Sequence, residues 1–191
     1  MTLSAMPVEP EDHLWVRVAK PEWRDPLDTT YAGQHGGRWN PAGSWPTLYL
    51  NRDLVTARAQ VARLLGGTFA QPDDLSDDAF DVVAVRLPAG LVAGDVVSDA
   101  RVRASGLPDS YPLNANGSVV AHVRCQLVGV EAHDGGLDAI EARSACTKDG
   151  SGRELACWSG LDDVRPVGRR VPYGRWRSVD IDDVQLLVGS A

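Results

Sequence analysis

Gly36-Gly37-Arg38-Trp39-Asn40-Pro41-Ala42-Gly43, followed by Pro46 to Leu50 (Pro-Thr-Leu-Tyr-Leu) and an Ala-rich run to Leu65, is the stretch that decides the fold. Gly36 and Gly37 permit backbone angles that a β-carbon forbids, and Pro41 to Gly43 is turn chemistry. Arg38 and Trp39 are therefore expected in a tight loop shaped to present a side chain. Thr47 to Leu50 is β-prone, with Tyr49 on the face opposite Leu48 and Leu50. Beyond Asn51 and Asp53, the residues Leu54, Ala57, Val61 and Leu64/Leu65 recur at helical spacing. The order is loop, strand, turn and helix, with Asp53 capping the helix and Gly66-Gly67 ending it.

Upstream, Leu14 to Val18 alternates as a strand that puts Arg17 opposite Val16 and Val18. Pro21 to Thr30 reads as a connecting loop, with a role as cover for a site left open. Downstream, Gln71 to Asp78 is an exposed turn region. Phe80 to Leu87 is a strand with Val83, Val85 and Leu87 on one face and Val82, Ala84 and Arg86 on the other. Leu91 to Val97 reads as a short strand and Ala104 to Gly117 as a long loop. Val119 to Val130 is expected as a helix followed by a strand. Leu137 to Ala142 leads to Ser144, and the run Leu155 to Trp158 is a further strand. The two are expected to pair as a hairpin through Lys148 to Arg153. The tail from Asp162 mixes arginines with Tyr173 and Trp176 and is expected to form a surface strand or hairpin. It ends in an alternating run over Val179 to Val188.

At 191 residues the chain suits a single domain, 1–191, behind a short flexible N-terminus of about 12 residues. Hydrophobic residues at 43% and charged ones at 24% favour a folded bulk over disorder. A net charge of -7 argues against non-specific nucleic-acid binding, which needs a basic surface. Arginines inside such an acidic chain are then candidates for holding a small anion, and Arg17, Arg38 and Arg143 are the ones singled out. No basic start or apolar run opens the sequence, so a cytoplasmic location without a membrane segment is expected. Cys125, Cys146 and Cys157 form no close pair, and His13, His35, His122 and His133 are scattered; neither a disulfide framework nor a metal site is expected.

The Gly36–Gly43 motif, with Leu48-Tyr49-Leu50 and the Ala-rich helix after it, resembles the opening half of the RES domain. That family is named for an arginine, a glutamate and a serine. Leu14 to Val18 resembles its first strand, and Gly136 to Ala145 resembles the segment that carries the serine. The resemblance implies an α/β (α+β) fold similar to the ADP-ribosylating toxins, with compact mixed or antiparallel sheets and flanking helices. It also implies an enzyme that cleaves the nicotinamide bond of NAD with phosphate or water as acceptor, often the toxin partnered by an Xre-type antitoxin. NAD is then a substrate, no cofactor is needed, and direct contact with nucleic acid is not expected.

Carried over by position, Arg17 and Arg38 would hold the dinucleotide phosphates or the incoming phosphate. Tyr49 would pack against the nicotinamide or its ribose, and Ser144 would be the serine of the name. The glutamate position reads Gln60. A glutamine keeps shape and hydrogen bonds but loses the full negative charge that steadies a ribosyl cation, and it cannot act as a base. Three explanations stay open: altered activity in a natural variant, a silent protein that binds NAD or an antitoxin, or an inactivating change. ADP-ribosyl transfer to a macromolecule is a further alternative. Glu141 or Asp138, close to Ser144, could in principle supply a replacement carboxylate, but acidic residues in such loops are usually just solvated. Taken one at a time, Arg38 could equally satisfy loop carbonyls, Arg17 could pair across the sheet and Ser144 could cap a turn.

Overall fold

The computed structural model describes residues 3–8, 13–66, 68–179 and 184. Its strands form one eight-stranded sheet. In chain order they are β1 (Ala5–Pro7), β2 (Trp15–Ala19), β3 (Leu48–Asn51), β4 (Asp81–Arg86), β5 (Val92–Val96), β6 (Ala139–Arg143), β7 (Arg153–Cys157) and β8 (Arg165–Pro172). Across the sheet they run β1-β5-β6-β7-β3-β2-β4-β8. The β5–β6 pair is parallel, and the other pairings among the described residues are antiparallel. The helices are α1 (Thr30–His35), α2 (Leu54–Leu64), α3 (Asp99–Ala104), α4 (His122–Asp134) and α5 (Tyr173–Trp176). The expected α/β class with a largely antiparallel sheet and flanking helices is what the chain adopts.

Strand parity sorts the core onto two faces. Val16 lies opposite Asn51, and Tyr49 lies opposite Ala156, so these four share a face. On that face α2 packs through Leu54, Ala57 and Val61 against Val16, Val18 and Val82. Farther along it, α4 packs Cys125, Val128 and Ala132 among Trp39, Ile140 and Ala156. The other face is closed by Trp15, Leu48, Leu50, Val83, Val85 and Leu155. The alternation expected for Phe80 to Leu87 is the one observed, with Val82 and Ala84 against α2 and Val83 and Val85 on the far side.

Helix α2 begins at Asp53, whose Oδ1 accepts the amide of Thr56 at 2.7 Å. Asp53→Ala is expected to cost about 1 kcal/mol, the usual value of an N-cap, as a shift in denaturant midpoint at unchanged slope. The helix ends at Leu64, before Gly66; Gly67 lies outside the described residues. The β6–β7 hairpin and the edge strand β8 match their expectations, and Tyr173 and Trp176 are buried under β8.

Two expectations are corrected. The first residues were expected to be flexible, yet Ala5 to Pro7 add a strand to the edge of β5; residues 1–2 and 9–12 lie outside the described set. Val119 to Val130 is not helix then strand, since α4 continues unbroken to Asp134. Its buried residues Cys125, Val128, Gly129 and Ala132 do follow helical spacing, but Gly and Ala carry little apolar signal, and exposed Val123 and Leu127 blur the period. Short helices α1 and α3 stand in segments to which the sequence reading assigned no element. The run expected over Val179 to Val188 lies outside the described residues except for Val179 and buried Val184. No helix among the described residues is long and apolar enough to cross a membrane.

Candidate active site

The Gly36–Gly43 loop is fixed by its neighbours before it meets any ligand. Gly36 has φ +74°, and a β-carbon there would lie 2.7 Å from the amide nitrogen of Ala42. A β-carbon on Gly37 would meet the Tyr49 hydroxyl at 2.3 Å, so only glycine lets the loop lie on the tyrosine ring. Tyr49 Oη accepts the amide of Trp39 at 2.9 Å and donates to Asn40 Oδ1 at 2.7 Å. From α4, Gln126 Nε2 donates to the carbonyl of Gly37 at 2.9 Å. Burial pushes the Tyr49 phenol well above its ordinary range, so it is a fixed hydroxyl rather than a base.

Arg38 leaves this loop and runs inward. It is 7% exposed, and Nη1 donates to the carbonyl of Val120 at 3.0 Å and to Cys125 Sγ at 3.6 Å. Burial alone would lower its proton affinity, but Tyr111, Glu154 and Cys125 outweigh that and raise it, so the guanidinium is a permanent charge. Arg38, Tyr49, Gln60, Cys146 and Glu154 line one cavity of about 190 Å³. Drug-sized sites usually occupy about 300–1,000 Å³, so this cavity is small beside them.

Glu154 was not singled out in the sequence. It stands on β7 directly opposite Asn51, and Asn51 Nδ2 in turn donates to Gln60 Oε1 at 2.6 Å. Glu154 Oε1 accepts the Trp39 indole N–H at 2.9 Å, and Oε2 accepts the Ser144 hydroxyl at 3.2 Å. Burial raises its pKa, against the opposing pull of Arg38, Trp39, Ser144 and the Ala145 amide. The side chain lies deep, yet part of its surface still borders the cavity. A carboxylate on the inward side of a strand, beside Ala156, was the available signal in Arg153-Glu154-Leu155-Ala156-Cys157.

Ser144 follows β6 and is fully buried, holding Glu154 and accepting the amide of Cys146 at 3.2 Å. It stands behind the cavity wall and acts on it through Glu154. Trp39 belongs to the core, at 0% exposure, with its indole N–H also fixing that carboxylate. Arg63, one turn beyond Gln60, donates to the carbonyl of Ala145. His122 is held below its ordinary pKa by burial and by the charges of Arg38 and Arg63. Arg38 and Arg63 thus put positive potential beside the cavity of an acidic chain, and the same potential favours the neutral form of His122.

Arg17 does not join this group. Parity places it with Trp15 and Val83 on the far face of the sheet, while Val16 and Val18 face α2. Its guanidinium donates to the carbonyls of Pro26 at 3.1 Å, Tyr49 at 2.9 Å and Asp28 at 3.4 Å, and it lies 5.9 Å from the Trp23 ring centroid. Burial lowers its pKa to about 10, against the pull of Asp28 and Asp25. The residue pins the loop before α1 onto the sheet. A larger hollow of about 410 Å³ on that side is bordered by Asp25, Asp28, Asp162 and Arg165, a set of charges unsuited to a dinucleotide.

Arg143 is likewise committed, to the carbonyls of Val97 and Tyr111 and to Asp99. Asp138 Oδ2 accepts the amide of Val92 at 2.9 Å. Glu141, expected to be solvated, is instead fully buried, because parity turns it to the far face, where Arg52 lies 3.9 Å away and Arg153 3.4 Å away. Among the described residues no group of three His, Cys, Asp or Glu could hold a metal ion.

A sheet with α2 and α4 on one face, and a cavity that joins the glycine loop to α2 and β7, describes a family as well as a chain. The RES domain model matches residues 14–178, and the chain belongs to that family. Among solved structures, a chain of the M. tuberculosis MbcT–MbcA toxin–antitoxin complex is 20% identical. It superposes with a TM-score of 0.67 over 87% of this chain and 90% of that one, a likeness of fold. Comparison with curated proteins returned no match.

Proposed function

We propose that the protein is an NAD-degrading enzyme of the RES type. It breaks the bond between nicotinamide and ribose and passes the ADP-ribosyl group to phosphate or water, as the toxin of a toxin–antitoxin pair in the cytoplasm. The observation that carries the reading is the convergence of Arg38, Tyr49, Gln60 and Glu154 on one cavity, with Ser144 behind its wall. Bond cleavage sends the electron pair to the ring nitrogen of nicotinamide, which leaves neutral, while positive charge grows on the ribose. An oxygen of phosphate or water then bonds to the anomeric carbon. Tyr49 would pack against the nicotinamide or its ribose, and Arg38 would hold the diphosphate or the incoming phosphate.

The likeness to a toxin–antitoxin complex supports an antitoxin partner, which the resemblance makes one of Xre type. Gln60 favours a second reading, a silent relative that binds NAD or the antitoxin without turnover. Incubating the purified protein with NAD, with and without phosphate, separates them. Free nicotinamide is expected in step with NAD loss, together with phosphorylated ADP-ribose when phosphate is present. Intact NAD after prolonged incubation would leave the silent reading. Label retained on protein or nucleic acid would make the enzyme a transferase.

A further inference from the structure

We infer that Glu154 is the carboxylate that stabilises the ribosyl cation, so that the negative charge of this site comes from strand β7 while Gln60 of α2 serves as an uncharged hydrogen-bonding group. The inference rests on the NAD-cleaving reading. A cation developing at the anomeric carbon needs a fixed anion nearby, and Glu154 is the one carboxylate among the described residues that line the cavity. It is held in place before substrate arrives. Trp39 Nε1–H and the Ala145 amide can only donate, and together with the Ser144 hydroxyl they turn the oxygens of Glu154 into obligate acceptors. Arg38 lies close enough to favour its ionised form. Such fixed dipoles cost no reorganisation when charge appears.

Gln60 fits the complementary role. Its oxygen is taken by Asn51, so it meets a ligand as a donor, suited to a ribose hydroxyl or the carboxamide oxygen of nicotinamide. Asn51 links the two, bonded to Gln60 on one side and facing Glu154 across the β3–β7 pair on the other. The cavity wall therefore carries one negative charge where two facing carboxylates would repel each other.

The test is a charge exchange across Asn51, with nicotinamide release measured for the wild type, Glu154→Gln, Gln60→Glu and the double exchange. Glu154→Gln keeps the shape and an acceptor for Trp39. It is expected to lower kcat by about 10²-fold or more while KM for NAD moves only a few-fold. Adding Gln60→Glu to it is expected to recover at least roughly a tenth of the wild-type kcat, because a carboxylate again borders the cavity. A purely structural Glu154 would give no such recovery.

The wild type should also show an acid limb in kcat, rising with pH, above the ordinary glutamate value of about 4.3, and Glu154→Gln should lack it. Burial sets that direction; the titratable groups packed around Glu154 are Arg38, Tyr49, Tyr111, Cys125 and Cys146. Undiminished kcat in Glu154→Gln would overturn the inference. So would a silent wild type that gains activity from Gln60→Glu alone, and that result would leave the NAD reading standing. Four folded but inactive proteins would sink both.

Discussion

Gly129→Ala is expected to destabilise the protein by about 3 kcal/mol or more and to abolish most turnover, although the residue touches no ligand. In an exposed helix the same change would gain about 1 kcal/mol, because alanine is the better helix former. Here the sign reverses. A β-carbon on Gly129 would stand 1.7 Å from the carbonyl oxygen and 2.8 Å from the carbonyl carbon of Trp39. Both are backbone atoms in a loop that Tyr49, Asn40 and Gln126 hold from three sides, so neither can swing aside as a flexible side chain could. Helix α4 must back away from the loop. Gln126, less than one turn earlier, then loses its grip on Gly37, and Trp39 carries its indole N–H away from Glu154. A denaturant titration with kcat measured on the folded fraction separates the two losses. Wild-type stability in Gly129→Ala would mean that the helix and loop do not meet as closely as described.

The same close approach explains what could and could not be read from the sequence. Local chemistry was legible. Asp53 before an apolar 3–4 repeat marked the start of α2, and the glycines around Arg38 marked a loop that no other residues would make. Parity was legible too, since Arg17 already stood opposite Val16 and Val18. The face of the sheet that parity assigns to Arg17 became known only when α2 was seen to cover the valines. Contacts between distant segments left little trace. Gly129 in α4 looks like a weak helix residue until Trp39, ninety positions earlier, is packed on it. Glu154 looks like one surface carboxylate among 26 acidic residues until Ser144 and Ala145 from the turn after β6 and Trp39 from the glycine loop are placed around it. Position 60 was found by its distance from the Arg38 loop and its place in the Ala-rich helix. The charge belonging to that wall of the cavity stood on another strand, and no local pattern joins the two.

Arg38→Ala is expected to cost about 10²–10³-fold in NAD cleavage and also to weaken the fold, for two separable reasons. The first is loss of the cation that would meet the diphosphate or phosphate, which lowers kcat/KM whatever else happens. The second is internal. Arg38 is the charge that most opposes the effect of burial on Glu154; without it, that pKa rises further from its ordinary value. Removing one partner of a fully dry pair costs roughly 3–5 kcal/mol, and because Glu154 borders the cavity the loss here should fall below that, at about 2 kcal/mol. The sign with pH follows. A carboxyl whose folded pKa exceeds its unfolded one contributes stability below about pH 4.3 that is lost as the pH rises through the folded value. Arg38→Ala raises that folded value, so its deficit against the wild type should be smallest in acid and widen toward neutral pH.

Placing Glu154→Gln in the same chain removes the stranded charge, and the double variant is expected to regain much of the stability and none of the activity. A double-mutant cycle in denaturant measures the coupling directly. Arg38→Lys should not stand in for the wild type, because one ammonium cannot reproduce a planar guanidinium that donates to Val120 and Cys125 while facing the cavity. Additive losses in the cycle would mean that Arg38 and Glu154 act on the fold independently, and the charge pair at the centre of this cavity would have to be given up.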